Sequence, residues 1–178
     1  MRHVFSSDWF YDEKNIGVKI KSPVELMVGI NKIVPSVFKK QSQVTYLQKM
    51  MGQILLYPVN VSGWKGDRYW IDSNSLMFRL KLPSVLLNNA KISLNPKGEF
   101  EDDFSNFYNQ KNQNFTVSDK ARADFEIHYS KTPPKQLKSI LVLPKLDEDT
   151  KQILKIYQNQ NAFQYCIQLM SIPEYQLC

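Results

Sequence analysis

The four residues from Ser22 to Glu25 constrain the fold of this chain more than any other short stretch, because they specify where a helix begins. The hydroxyl of Ser22 is placed to accept from the backbone N–H of Glu25, and the Glu25 carboxylate is placed to accept from the N–H of Ser22. Pro23 suits the first helical position, where a missing N–H costs nothing. Apolar residues follow at helical spacing, as Leu26, Ile30, Ile33 and Val34. The sequence therefore predicts an amphipathic helix that ends at Pro35.

The same spacing predicts helices along most of the chain. They cover residues 2–10, Gln41–Leu56, a stretch that Asp72 or Ser73 caps and Pro83 breaks, Ser118–Tyr129, Pro133–Leu143, Asp147–Gln160 and Ala162–Ile172. Leu55, near the end of the helix Gln41–Leu56, is expected to be buried. The helix before Pro83 carries Leu76, Met77 and Leu80, of which Leu76 is core-like. A short extended piece is predicted at Asn88–Leu94.

Two stretches break the helical pattern. Residues 95–118 are rich in Asn, Gln, Asp and Lys, which predicts a long polar loop, and residues 57–72 form a loop rich in tryptophan and glycine. The chain has 178 residues, of which 43% are hydrophobic, enough to build one ordinary core. The predicted fold class is therefore mainly α, an irregular multi-helix bundle that forms a single helical domain over residues 1–178.

The charge pattern narrows the classes of partner. A formal net charge of +6 permits an acidic partner such as a nucleic acid, an anionic lipid or an acidic glycan. The positive charges are scattered, however, and no basic run reaches the length of a nucleic-acid tail, so a solvated basic surface is the simpler interpretation and nucleic acid is disfavoured. No apolar run is long enough to predict a membrane span, and the first residues lack the pattern of a secretory signal.

The stretch Gly52–Ser73 holds two of the three tryptophans and three of the six glycines. Glycines permit positive φ or close backbone approach, and an asparagine can hold a turn by bonding local backbone groups. Aromatic rings here have two interpretations: a flat surface that stacks on a sugar ring or a cation, or a plug buried between helices, with a buried Trp70 and a rim Trp64 as the mixed case. The candidate binding residues in this turn are Asn60, Gly63, Trp64, Gly66, Arg68, Tyr69 and Trp70.

The sequence shows no catalytic or metal motif, and no cofactor is expected. His3 and His128 fall in different predicted helices with no serine or cysteine elbow beside them. Cys166 fits an apolar helical pattern typical of a buried thiol, and a bridge to Cys178 is open. Glu174 is the carboxylate with the least obvious structural role, so it joins the candidate site. We expect it to pair with Arg2, Arg68 or Arg79 and so connect the C-terminus to the tryptophan turn.

Several separated motifs are shared with one bacterial family. They are FSSDWFYD at 5–12, KSPVEL at 21–26, Gly52-Gln53, Pro58 with Asn60-Val61, Gly63-Trp64 with Gly66 and Trp70-Ile71, and SIPEYQL at 171–177. The chain resembles the C-terminal portion of the domain-of-unknown-function 1800 family (DUF1800). It departs from the family pattern at Pro58-Val59-Asn60-Val61, usually Pro-Pro-Asn-Val, and at Gly63–Asp67, usually Gly-Trp-Pro-Gly-Gly. These changes fall at proline and glycine positions on which the rigidity of the turn depends.

The resemblance implies a helical C-terminal domain of a longer, exported bacterial protein, hence a periplasmic or extracellular location. It also implies a pathway shared with a sulfatase- or phosphatase-like partner protein, and it supplies no agreed reaction.

Two functional hypotheses follow. The first is a non-catalytic binding or assembly region that contacts a glycan or a partner protein through the Gly63–Ile71 turn. The second is part of a hydrolase acting on polysaccharide or sulfate esters, with Asn60, Asp67 and Arg68 at the edge of a site whose main catalytic residues lie outside this chain.

Overall fold

The chain folds as a helical bundle, as its periodicity predicts. The computed structural model describes residues 2–35, 38, 41–88 and 119–178. The α-helices within these ranges are α1 (Arg2–Phe5), α2 (Pro23–Ile33), α3 (Gln41–Met50), α4 (Ser73–Asn88), α5 (Asp119–Tyr129), α6 (Pro134–Leu141), α7 (Glu148–Tyr157) and α8 (Ala162–Met170). Short 3₁₀-helices occupy Asp8–Tyr11, Glu13–Asn15, Asp67–Trp70 and Pro173–Gln176. In the same ranges β-structure is limited to two isolated bridges, Ile20 with Leu177 and Ile54 with Tyr57.

Helix α8 is the centre of the bundle. It packs against α4, α5, α6 and α7, and most of its side chains are buried on all sides. A helix that is apolar all round needs such complete coverage to keep its surface from water. The side chain of Asn161 caps its start by accepting from the N–H of Gln164 at 2.8 Å. The predicted burial of Phe163, Cys166, Ile167 and Met170 is confirmed.

The predicted start of α2 is confirmed atom by atom. Ser22 Oγ accepts from the N–H of Glu25 at 3.3 Å, and Glu25 Oε2 accepts from the N–H of Ser22 at 2.7 Å. Pro23 occupies the first turn, and the helix ends with Val34 as its C-cap, next to Pro35. The buried face of α2 includes Leu26 and Ile30, as the spacing predicts.

Helix α3 is shorter than predicted, and the error lies at a glycine. The helix ends at Met50 because Gly52 adopts φ +84°. The N–H of Gln53 then bonds to the carbonyl of Gln48 at 3.0 Å, and the N–H of Gly52 bonds to that of Lys49. This pair of bonds is the Schellman motif that closes many helices. Leu55 therefore lies outside the helix and is 51% exposed, so its predicted burial is wrong.

Helix α4 contradicts the sequence prediction at Pro83. It continues through Pro83 to Asn88, because the apolar packing of Leu82, Val85 and the other buried residues around the proline outweighs the lost backbone hydrogen bond. Its buried face is also not built on the core-like Leu76. Ser75, Phe78 and Arg79 are buried there, whereas Met77 is 47% exposed and Leu76 and Leu80 are only partly buried.

The N-terminal helix differs most from its prediction, whereas the helices after residue 118 agree with theirs. The predicted helix over 2–10 is the short α1 followed by a 3₁₀-helix, and its apolar side chains Val4, Phe5 and Trp9 are exposed. Helices α5 to α8 end within about one turn of the predicted limits. Two predictions lie outside the described residues: the extended piece at Asn88–Leu94, apart from Asn88 itself, and the loop at 95–118.

None of the described helices combines the length and the apolar composition that a membrane span requires.

The C-terminal segment is held against the segment that precedes α2. The backbones of Lys19 and Cys178 exchange hydrogen bonds of 2.8 and 3.2 Å, and the N–H of Lys21 bonds to the carbonyl of Gln176 at 2.8 Å. The ammonium of Lys21 donates to the carbonyl of Tyr175 at 2.6 Å and lies 3.9 Å from the centre of its ring. The residues of the closing motif are thus bonded to the segment that precedes α2.

The side chain of Arg79 holds the two segments of this junction together. Its side chain is 0% exposed; Nε donates to Gln176 Oε1 at 3.1 Å, and Nη2 donates to the carbonyl of Lys21 at 2.6 Å. Burial lowers the pKa of the guanidinium to about 10, which leaves it charged at neutral pH. One arginine on α4 therefore bonds both segments of the junction at once.

We expect Arg79→Ala to lower the free energy of unfolding by about 3 kcal/mol, because two buried acceptors lose their donor and a cavity replaces the side chain. Urea denaturation followed by circular dichroism measures this change. The matched control is Lys81→Ala, an exposed position on the same helix, which should change stability by less than about 0.5 kcal/mol. A loss of less than about 1 kcal/mol for Arg79→Ala would contradict the role given to this arginine.

Candidate functional site

The tryptophan loop, residues 57–72, begins with two tight turns. The N–H of Tyr57 bonds to the carbonyl of Ile54 at 3.0 Å, which closes the first. In the second, the N–H of Gly63 bonds to the carbonyl of Asn60 at 3.0 Å, and Asn60 Oδ1 accepts from the N–H of Ser62 at 2.9 Å. An asparagine side chain that bonds the backbone two residues later is typical of such turns. The structure thus gives Asn60 the local bonding role that the sequence predicts.

The two glycines of this loop differ in what they do. Gly63 adopts φ +82°, a conformation that other residues rarely take, so the turn depends on glycine there. Gly66 has φ −92° and ψ −174°, an ordinary extended conformation, and a Cβ at either glycine would meet nothing within 4 Å. Gly66 therefore uses neither the positive φ nor the close approach expected of it.

The end of the loop is attached to the start of α4. A 3₁₀-helix, Asp67–Trp70, carries the last aromatic residues of the loop. Ser75 Oγ donates to the carbonyl of Trp70 at 3.1 Å and accepts from the N–H of Asp72 at 2.8 Å. Asp72 caps α4 by accepting from the N–H groups of Asn74 and Ser75 at 2.8 and 2.9 Å. These bonds fix the position of Trp70, which is 8% exposed.

The loop encloses a cleft of about 250 Å³, which we call the aromatic cleft. Its lining residues are Gly52, Val59, Asn60, Gly63, Trp64, Lys65, Tyr69 and Trp70. Trp70 is buried, Trp64 is half-buried, and Tyr69 is 71% exposed, so the three rings differ in their exposure to solvent. This is the mixed arrangement of buried and rim tryptophans that the sequence left open. Five of the eight predicted candidate residues meet in one place: Asn60, Gly63, Trp64, Tyr69 and Trp70.

Lys65 is the charged residue in this lining. Its ammonium lies 5.0 Å from the centre of the Tyr69 ring, within the range of a cation–π contact. It is not among the candidate binding residues predicted from the sequence, although its place between Trp64 and Gly66 was a usable signal. The described lining contains no carboxylate, imidazole or thiol.

Backbone strain is concentrated at this loop. Among the described residues, Leu56 and Asp67 are the non-glycine positions with positive φ, at +65° and +57°. One immediately precedes the loop and the other starts its 3₁₀-helix. Residues in this conformation carry a free-energy cost that the surrounding structure must sustain, and they cluster at binding sites. The loop therefore has a defined conformation, with a strained backbone at Leu56 and at Asp67.

Three predicted candidates lie outside the aromatic cleft. Gly66 and Arg68 belong to the same loop but do not line the cleft, and both are exposed. Glu174 is in the C-terminal segment, where its Oε1 accepts from the N–H of Asp147 at 3.3 Å. The arginine pairing expected of Glu174 is not what the described residues show: Arg79 bonds Gln176, two residues later. Glu174 and Gln176 thus have different partners, Asp147 and Arg79.

A second cleft, of about 200 Å³, was missed by sequence reasoning. It lies between α2, α3 and α4 and is lined mainly by apolar side chains such as Met27, Val44 and Leu86, with Gln48 at its edge. Gln48 Oε1 accepts from the N–H of Leu55 at 2.9 Å, so its carbonyl is already used within the fold. This cleft offers apolar volume and little polar chemistry.

The residues that nucleophilic or metal chemistry would need are separated or buried. Within the described ranges, no group of three or more His, Cys, Asp and Glu side chains is arranged to hold a metal ion. His3 and His128 are both exposed. Cys166 is 0% exposed, and burial raises the pKa of its thiol to about 12. Both cysteines are free thiols, so the open question of a bridge between Cys166 and Cys178 is answered for this structure.

Comparison with known proteins gives one positive result. The family model described as "Protein of unknown function (DUF1800)" matches residues 1–177, essentially the whole chain. The searches of curated proteins and of solved structures returned no match.

We expect Gly63→Ala to lower the free energy of unfolding by about 1–2 kcal/mol, because alanine at φ +82° is strained. The matched control is Gly66→Ala, because Gly66 belongs to neither turn and has an extended backbone. This variant should be neutral or should stabilise the protein by up to about 1 kcal/mol. Thermal and urea unfolding of the two variants measure the difference. Equal effects would show that the loop does not hold Gly63 in this conformation.

The thiols should react with Ellman's reagent in two separate steps at pH 8. Cys178, which is partly exposed, should react first. Cys166 should react about 100-fold more slowly or only after unfolding, because the thiolate is the reactive form and a pKa of about 12 leaves almost none of it. Cys178→Ser serves as the control that isolates the slow step. Rapid reaction of both thiols in the native protein would contradict the burial of Cys166.

Proposed function

The chain belongs to the DUF1800 family, and from that premise we propose that it is a non-catalytic binding region that takes a carbohydrate ring in the aromatic cleft. The observation that carries the proposal is the convergence of Trp64, Tyr69 and Trp70 on one cleft whose floor is fixed to α4. One face of a sugar ring is made of C–H groups, which pack well against an aromatic surface.

The polar groups of the cleft suit the hydroxyls at the edge of such a ring. The oxygen of the Asn60 amide is used by the N–H of Ser62, so its NH₂ group is the part that remains for a ligand. Trp64 and Trp70 each carry an indole N–H, and Tyr69 carries a hydroxyl. A few polar groups among aromatic walls are the usual composition of small-ligand sites.

The size of the cleft limits what it holds. Its volume of about 250 Å³ is just below the ~300–1,000 Å³ of typical sites for drug-sized ligands. A single ring, or one ring of a longer chain that continues over the rim, fits this size better than a larger ligand does. The exposed face of Tyr69 would then extend the contact beyond the cleft.

A partner protein is the second candidate, and a separate observation supports it. Exposed apolar side chains surround the start of the loop: Leu56 is 87% exposed, Tyr57 65% and Val59 64%. Neighbouring exposed apolar residues of this kind mark interaction surfaces. A sulfatase- or phosphatase-like protein, implied by the family resemblance, is the partner we propose for this alternative.

The hydrolase hypothesis stays a prediction. Of the three residues placed at its edge, Asn60 lines the cleft, whereas Asp67 and Arg68 do not. The proposed location, periplasmic or extracellular, follows from the family resemblance and is consistent with a glycan ligand.

Trp64→Ala should weaken carbohydrate binding about tenfold or more, because loss of the half-buried ring removes roughly 1.5 kcal/mol of stacking and buried area. The probes are neutral and acidic oligosaccharides, and isothermal titration calorimetry is the measurement, since it does not depend on tryptophan emission. Trp9→Ala is the matched control, because Trp9 is 57% exposed and lies in the N-terminal 3₁₀-helix.

Failure of the unmodified protein to bind any oligosaccharide of the panel would overturn the carbohydrate proposal. Equal losses for the Trp64 and Trp9 variants would overturn the assignment of the cleft. Circular dichroism of each variant establishes that the helices are intact.

A further inference from the structure

We propose that the ring held in the aromatic cleft carries a negative charge, and that Lys65 is the residue that selects it. The inference rests on the proposed function and deepens it from carbohydrates in general to acidic sugars, whose carboxylate or sulfate group is the shared chemistry. The observations that carry it are the charge, the position and the free state of Lys65.

The first observation is the charge balance of the cleft. Of its eight lining residues, Lys65 alone is charged, and its charge is positive. The four ion pairs of the described residues are Lys14 with Asp12, Lys19 with Glu25, Lys145 with Glu13 and Lys151 with Glu148, so Lys65 belongs to none of them. The cleft therefore presents a cation that the described part of the fold does not neutralise.

The second observation is the position of the ammonium. It lies 5.0 Å from the centre of the Tyr69 ring, on a residue that also lines the cleft. A cation–π contact of this kind restrains a long side chain without using its hydrogen-bond donors. The three N–H groups of Lys65 thus stay available beside the aromatic surface on which the sugar ring would stack.

The third observation concerns the wider field. Arg68 follows in the same loop and is exposed, so residues 57–72 carry two positive charges against the negative charges of Asp67 and Asp72. Asp72 is engaged by the N–H groups of Asn74 and Ser75 at the start of α4. Asp67 is exposed and lies outside the cleft lining. Neither carboxylate of the loop therefore lines the cleft, and the whole chain has a net charge of +6, which favours the approach of an anion.

The experiment compares three oligosaccharides of equal length: a neutral glucose oligomer, a galacturonate oligomer and a sulfated glucose oligomer. Calorimetric titration at two salt concentrations gives the affinity of the unmodified protein and of its variants. We expect at least one acidic oligomer to bind about tenfold more tightly than the neutral one, the effect of one charge-assisted hydrogen bond. Preference for the galacturonate identifies a carboxylate ligand, and preference for the sulfated oligomer identifies a sulfate ester.

The variants assign the preference to one residue. Lys65→Gln should remove the preference for the acidic oligomer over the neutral one, whereas Lys65→Arg should retain most of that preference. Lys135→Gln is the matched control, because it removes one charge from an exposed position on α6, outside the cleft lining.

Equal affinity of the unmodified protein for neutral and acidic oligomers would overturn this inference and leave the proposed carbohydrate function intact. Equal effects of Lys65→Gln and Lys135→Gln would also overturn it, since the preference would then come from net charge alone. Absence of binding to all three oligomers would overturn the proposed function itself.

Discussion

The buried guanidinium of Arg79 is the interaction on which the arrangement of the C-terminal segment and the segment before α2 depends. It donates to Lys21 in the segment before α2 and to Gln176 in the C-terminal segment, from a position that is 0% exposed. A buried charge is costly unless its hydrogen bonds are made, so the two segments must lie where their acceptors meet it. Among the described residues, Nη1 of Arg79 and Nε2 of Gln176 have no hydrogen-bond partner. The charge is therefore only partly compensated, and each bond that it does make matters more for that reason.

Helix α4 transmits this constraint to the tryptophan loop. Ser75 and Arg79 are four residues apart, about 6 Å along one face of the helix. Ser75 bonds the carbonyl of Trp70, and Arg79 bonds the C-terminal segment one turn further on. The loop and the closing motif are thus attached to neighbouring turns of the same rigid element. Tyr175 of the closing motif also lies against α2, where a Cβ at Gly29 would come within 3.2 Å of its hydroxyl.

The sequence predicts those features that depend on local chemistry. The capping box of α2, the periodic helices and the turn held by Asn60 all arise from contacts within a few residues, and each is present. The end of α3 could also have been predicted, because Gly52 is the residue type that closes a helix in a Schellman motif. The burial of Arg79 was not predicted, although the sequence offered this arginine as one of three possible partners of Glu174. An arginine on a helix normally marks an exposed face, and only the packing of α4 against distant segments buries it. The same packing carries α4 through Pro83, against the local preference of proline.

The candidate site also contains residues that local sequence predicts and a residue whose contacts depend on distant parts of the chain. The residues of the aromatic cleft were predictable because they are close in sequence, whereas the expected pairing of Glu174 required distances that no pattern contains. The fixed position of Trp70 explains why the loop is suited to binding. The bonds from Ser75, the positive φ of Gly63 and the turn at Asn60 define one conformation of the loop in the folded chain. A ligand that meets an ordered surface does not lose affinity to the ordering of that surface. The buried tryptophan supplies the rigidity, and the half-buried Trp64 and exposed Tyr69 supply the contact area.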